Sequence, residues 1–102
     1  MSENYPLIRQ AILDRRQVHA IYKGRFREMC PHFLGSKNGR PQALFFQFAG
    51  ESESGLPPGG GWRCLPVDRL IDVSVHDGPW HTDAHAGRPP SCIDKVDVEI
   101  AD

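Results

Sequence analysis

A chain of 102 residues with 39% hydrophobic residues supplies one small core, so a single domain is expected over 1–102. Its nine prolines and ten glycines make it loop-rich, but no glycine repeat is present, which excludes a collagen-like chain. The net charge of −1 hides an asymmetry: residues 1–50 carry eight Lys/Arg against three acids, whereas residues 51–102 carry four against ten. The basic half is a candidate face for an anionic partner.

Pro6 suits the first turn of a helix, with Asn4 or Tyr5 just before it. Ile8, Ala11 and Ile12 follow at helical spacing, which predicts a helix ending near Arg16. Val18 to Tyr22 reads as a strand closed by Lys23-Gly24, and Phe26 to Leu34 as a second, bent or ended by Pro31. Residues 35–39 read as a turn led by Asn38-Gly39, and 43–48 as a third strand apolar enough for burial on both faces. The Gly- and Ser-rich stretch 50–61 predicts a flexible loop. Strands at 62–67 and 70–75 then flank a corner at Asp68-Arg69. Residues 76–92 look irregular, with Trp80 pinning the stretch against the sheet. In 95–100, Val96, Val98 and Ile100 point one way and Asp97 and Glu99 the other, as in a half-buried final strand. One helix followed by five or six short strands predicts a mainly β fold, and closure into a small barrel would remove exposed edges.

The three cysteines, Cys30, Cys64 and Cys92, are an odd number. A small secreted domain usually carries an even disulfide framework, so the expectation is a cytoplasmic chain with reduced, mostly buried thiols. No secretory leader or membrane-length apolar run is read, and no membrane partner is expected.

The ordered elements resemble the WYL domain family. The residues that carry the resemblance are Ile8, Ala11 and Ile12, then Val18, Ala20, Ile21, Tyr22 and Gly24, then Arg27 and Pro31, and finally Arg63-x-Leu65-x-Val67-Asp68-Arg69-Leu70. The family's Trp-Tyr-Leu aligns with Gln42-Ala43-Leu44, so only the leucine of the signature is kept. The resemblance implies an SH3-like or Sm-like barrel over 7–75 with its leading helix, followed by a tail at 76–102. It also implies a ligand-sensing module that binds a nucleotide or single-stranded nucleic acid, in a setting of bacterial transcription regulation. With no helix-turn-helix ahead of the domain, the expected role is a sensor or partner, not a self-sufficient repressor.

Carried over position by position, Tyr22, Arg27, Pro31, Arg63 and Arg69 match the family's motif positions. Guanidinium groups match phosphate in a bidentate way, and an aromatic beside them can stack a base. Tyr22, Arg27, His32, Arg63 and Arg69 are therefore the candidate ligand-binding residues, and the question for the structure is whether the arginines converge on one groove. The alternative reading is an interaction or self-assembly module that uses its edge strands, with another copy or a regulator as partner. A weaker idea is a zinc site drawn from Cys30, His81, His85 and Cys92; no Cys-x2-Cys pair supports it. Enzyme and cofactor motifs are not found. Gly50 to Ser54 misses the nucleophile elbow, and Gly59-Gly60-Gly61 lacks the Lys-Ser/Thr of a phosphate loop. No catalytic activity and no cofactor are expected.

Overall fold

The computed structural model describes residues 3–51, 59–83 and 90–100. A helix, α1 (Asn4–Asp14), leads into β1 (Gln17–Tyr22), β2 (Arg25–Lys37), β3 (Arg40–Gly50) and β4 (Gly61–Pro66). A 3-10 turn (Val67–Arg69) then precedes β5 (Ile71–His76), and β6 (Lys95–Glu99) comes last. The fold is mainly β with one N-terminal helix, as the sequence predicts. All pairings are antiparallel, in the order β4-β3-β2-β1-β5, with β6 joined to β2. No described ladder joins β4 to β5, so the sheet curls without hydrogen-bonded closure there.

The long β2 organises this sheet. One edge pairs with β3 from Arg27 to Lys37. The other pairs first with β1, through Arg25 to Met29, and then with β6, through Phe33 to Ser36. Pro31 falls between those two ladders, where its missing N–H breaks no pairing. Of the two sequence readings, a bend or an end, the end is excluded, since the strand runs on to Lys37. It lies beside a register shift between Pro31 and Phe33, one of two irregularities along the β2–β3 ladder. The expected turn at 35–39 shrinks to Asn38-Gly39, both at positive φ, because Gly35 to Lys37 continue the strand. Gly35 has no alternative there: a Cβ would run into the Lys95 carbonyl of β6. The expected loop at 50–61 is narrower at both ends, since Gly50 closes β3 and Gly61 opens β4, and 52–58 lie outside the described residues.

The core fills the concave side of the sheet. Ile8, Ala11 and Ile12 of α1 pack against Val18, Ala20, Met29, Leu34, Ala43, Phe45, Leu65, Val67 and Leu70. The helix closes with Arg15 in the left-handed region, its cap N–H groups returning to Ala11 and Ile12 carbonyls. Asn4 ties the other end down: its side-chain amide donates to the Val67 and Leu70 carbonyls at 3.0 and 2.9 Å.

A second layer covers the opposite face, where Cys30, His32, Phe46 and Trp62 project. Residues 77–83 and 90–94 cross it. Gln17 donates to the Pro79 carbonyl, the Trp62 indole to Asp83 and Lys37 to the Ser91 carbonyl, at 2.8, 2.9 and 3.2 Å. Trp80 packs tilted against His32, so it pins the crossing stretch as expected. The expectation of reduced thiols is overturned here: Cys64 of β4 and Cys92 form a disulfide, with Cα atoms 6.5 Å apart. Two cysteines 28 positions apart in sequence meet because the crossing stretch returns to β4. Cys30 alone remains a free thiol, and it is buried.

Closing a loop of this length is worth on the order of 2–4 kcal/mol by the chain-entropy account. Reduction, or Cys92→Ala, should therefore lower the denaturation midpoint and leave the far-ultraviolet spectrum strand-rich. An unchanged midpoint in urea with and without a reducing thiol would contradict this.

Candidate functional site

Two hairpins of identical build, one at each end of β2, contribute cations to one groove. Tyr22 pairs with Arg25 across Lys23-Gly24, and Lys37 pairs with Arg40 across Asn38-Gly39. All four turn residues have positive φ, as two-residue hairpin loops of the primed type require. Asn and Gly accept that conformation readily, whereas Lys23 adopts it at a cost of roughly 1–2 kcal/mol. Gln42 pairs with Pro66, which brings the start of β3 beside the end of β4 and the following 3-10 turn.

A groove of about 520 Å3 lies where these pieces meet, lined by Tyr22, Lys23, Arg40, Pro41, Gln42, Pro66, Asp68 and Arg69. Among the described residues three cations and one carboxylate line it, an arrangement suited to an anion bearing more than one charge. The Lys23 ammonium lies 5.6 Å from the centre of the Tyr22 ring, and the Arg27 guanidinium 5.3 Å. Both are within cation–π range.

The expected site residues separate on this geometry. Tyr22 and Arg69 line the groove. Arg27 does not; it is 4% exposed, and its Nη1 donates to the Gln47 side-chain carbonyl at 3.2 Å. Gln47 is itself buried and donates to the Ala49 and Glu51 carbonyls at 3.1 and 2.9 Å. Arg27 thus supports the Tyr22 ring from within. Arg63 is half-buried on β4 opposite Phe45 and donates to the Trp62 carbonyl at 3.0 Å, away from the groove lining.

His32 lies on the other face of the sheet, fully buried. Its Nδ1 sits 2.9 Å from the Cys30 carbonyl, which can only accept, so Nδ1 carries the proton. Nε2 then accepts from the Thr82 hydroxyl at 3.1 Å. The ring is enclosed by Trp62 and Trp80. This is a satisfied core histidine, and a ligand in the groove does not reach it.

The four weak zinc candidates do not assemble. Cys92 is spent in the disulfide. The Cys30 thiol accepts the His81 backbone N–H at 3.3 Å, and burial pushes its pKa up to about 11, so it stays protonated. The His81 ring stacks on Phe48. His85 lies outside the described residues. Among the described residues no group of three His, Cys, Asp or Glu side chains is placed to hold a metal ion. No described helix is long and apolar enough to cross a membrane.

Sequence reasoning missed Lys23, Arg40 and Gln42. A signal was available, since Lys23 lies in, and Arg40 flanks, a Gly-containing two-residue turn that fixes where its side chain starts. Comparison of the chain with protein-family models, with curated proteins and with solved structures finds no match.

Burial holds the His32 pKa below its ordinary 6.5, and His19, stacked on His76, shifts the same way for the same first cause. The unfolded chain therefore takes up protons that the folded chain refuses. Stability is full above about pH 6.5 and falls as pH drops below it. The thermal midpoint should decline between pH 7 and 5, less steeply in His32→Gln. A His32 ring that titrates at or above 6.5 in the folded protein, followed by NMR, would contradict this.

Proposed function

We propose that this chain is a WYL-like sensing module that binds a phosphate-bearing ligand of the nucleotide class, free or as a short single strand, in the groove lined by both hairpins and the 3-10 turn. The observation that carries this reading is the convergence of Lys23, Arg40 and Arg69 with the Tyr22 ring on one concavity. Guanidinium and ammonium groups supply charge-assisted bonds to phosphate, and the half-buried Tyr22 ring supplies an aromatic contact for a base. Tyr22 and Arg69 are shared with the family's motif positions, and Lys23 and Arg40 extend the set. The role is binding without catalysis, in regulation, with no cofactor of its own.

A cytoplasmic setting belongs to the same proposal, under one condition. Disulfides are rare where glutathione and thioredoxin keep thiols reduced, so a cytoplasmic form would hold Cys64 and Cys92 open for much of the time.

Titration with mononucleotides and with short oligonucleotides at low salt tests the reading. Binding should weaken as salt rises, because phosphate contacts release counterions. Arg69→Ala and Arg40→Ala should each cost roughly tenfold in affinity, about 1.4 kcal/mol. Arg63→Ala should leave affinity within twofold, an expectation set by its place outside the groove. No binding of any of these ligands at low salt overturns the proposal.

One observation favours a second reading, an interaction or self-assembly module. Ile21 pairs with both Phe26 and Ile71, making a cross-strand apolar row in which Phe26 and Ile71 are 45% and 57% exposed. The row runs out to β5, an end strand of the sheet and so a place where a second copy could add. Sedimentation should then show concentration-dependent dimers that Phe26→Ser abolishes; a strict monomer at millimolar concentration removes self-assembly.

A further inference from the structure

A second hollow, of about 270 Å3, opens beside the basic groove, lined by Tyr5, Gly35, Ser36, Gly39, Pro41 and Asp68. Pro41 and Asp68 line both, so the two adjoin across these residues. Their chemistry differs sharply. The groove presents Lys23, Arg40 and Arg69, whereas the hollow offers an aromatic ring, a proline ring and bare glycine backbone, with the Ser36 hydroxyl and the Asp68 carboxylate as its polar side chains.

The aromatic wall is set in place before any ligand arrives. The Tyr5 hydroxyl donates to Asp97 of β6 at 2.7 Å. Its pKa is pushed up to about 12, first by burial and then by that bond, so the phenol remains a donor. The neighbouring Asn4 fixes the helix start to the Val67 and Leu70 carbonyls. The ring is thus held from two sides, and little rotamer freedom is left to lose on binding.

A flat body with apolar faces and a polar rim suits such a hollow, and a phosphate suits the groove beside it. From this adjacency we infer that the ligand is a single nucleoside phosphate, its base against Tyr5 and Pro41 and its phosphate among Lys23, Arg40 and Arg69. The inference rests on the nucleotide-class reading of the groove and narrows it. One hollow beside one phosphate groove matches one base and its phosphate. Ser36 and Asp68 stand where a base edge or a sugar hydroxyl would meet a donor and an acceptor.

The test separates the two halves of the ligand. Backbone amide shifts are mapped by NMR on titration with AMP and GMP, with adenosine, and with inorganic pyrophosphate. AMP or GMP should shift Tyr5, Ser36 and Gly39 together with Lys23, Arg40 and Arg69, whereas pyrophosphate should shift only the latter three. The better mononucleotide should bind at least roughly tenfold tighter than pyrophosphate. Tyr5→Leu, which keeps the wall apolar, should remove most of that advantage and leave pyrophosphate binding unchanged; should this variant fail to fold, the wild-type shift map decides. Nucleotides that bind no tighter than pyrophosphate, with the hollow's amides unmoved, overturn the inference and leave the groove reading intact. An oligonucleotide that outbinds both mononucleotides while the hollow stays silent overturns it as well. Silence of both sets of amides towards every probe overturns the groove reading along with it.

Discussion

The structure depends on one strand serving three partners. Thirteen residues of β2 hold β3 along one edge and divide the other between β1 and β6. A strand of that length cannot stay flat against a core this small. It turns through two register shifts on the β3 side, and the edge passes from β1 to β6 at Pro31, the one residue that could not have donated there. Every other placement follows from that bend. Its early half places Arg27 against Gln47 and the Tyr22 ring, its middle sends Cys30 and His32 to the far face, and its late half brings Gly35 against β6 beside the Tyr5 hollow.

The two faces of the sheet do different work. The concave face is conventionally apolar and is capped by α1. The opposite face is built from aromatic rings and polar anchors, with His32 between Trp62 and Trp80, and Phe46 packed on Trp62. Buried polar groups are tolerable only when satisfied, and His32 uses both ring nitrogens. This explains why a histidine that looks available in sequence is lost to ligand binding. The basic groove sits clear of this layer, where residues from both hairpins of β2 and from the 3-10 turn line one concavity.

Much of the fold was legible because its signals are local. Alternation in 95–100, helical spacing at Ile8, Ala11 and Ile12, and Asn38-Gly39 each report on a few neighbouring residues. Pro31 left two readings open, a bend or an end, because the choice depends on which edge partner is absent, a fact about β1 and β6 and not about β2. The candidate site was half legible. Tyr22 and Arg69 could be named from the pattern, but period two along β2 cannot say that Arg27 is turned inward to Gln47. Nor can it say that Arg63 lies off the groove. Arg40 and Lys23 meet only through the turns that precede or contain them. The cysteine count misled in a different way: an odd total is compatible with one bridge and one buried thiol, and the bridge depends on where residues 90–94 cross.

The burial of Cys30 has a consequence for the chemistry of that bridge. A thiolate attacks a disulfide, and a thiol that is inaccessible and reluctant to ionise cannot supply one. In the folded protein Cys30 is therefore an inert bystander beside an oxidised pair. In the unfolded chain it is an equal competitor, and Cys30–Cys64 or Cys30–Cys92 pairs can form. Packing of the far face thus acts as a proofreading step for oxidation: once Cys30 is sealed beneath His81, the correct pairing can no longer be exchanged from within the molecule.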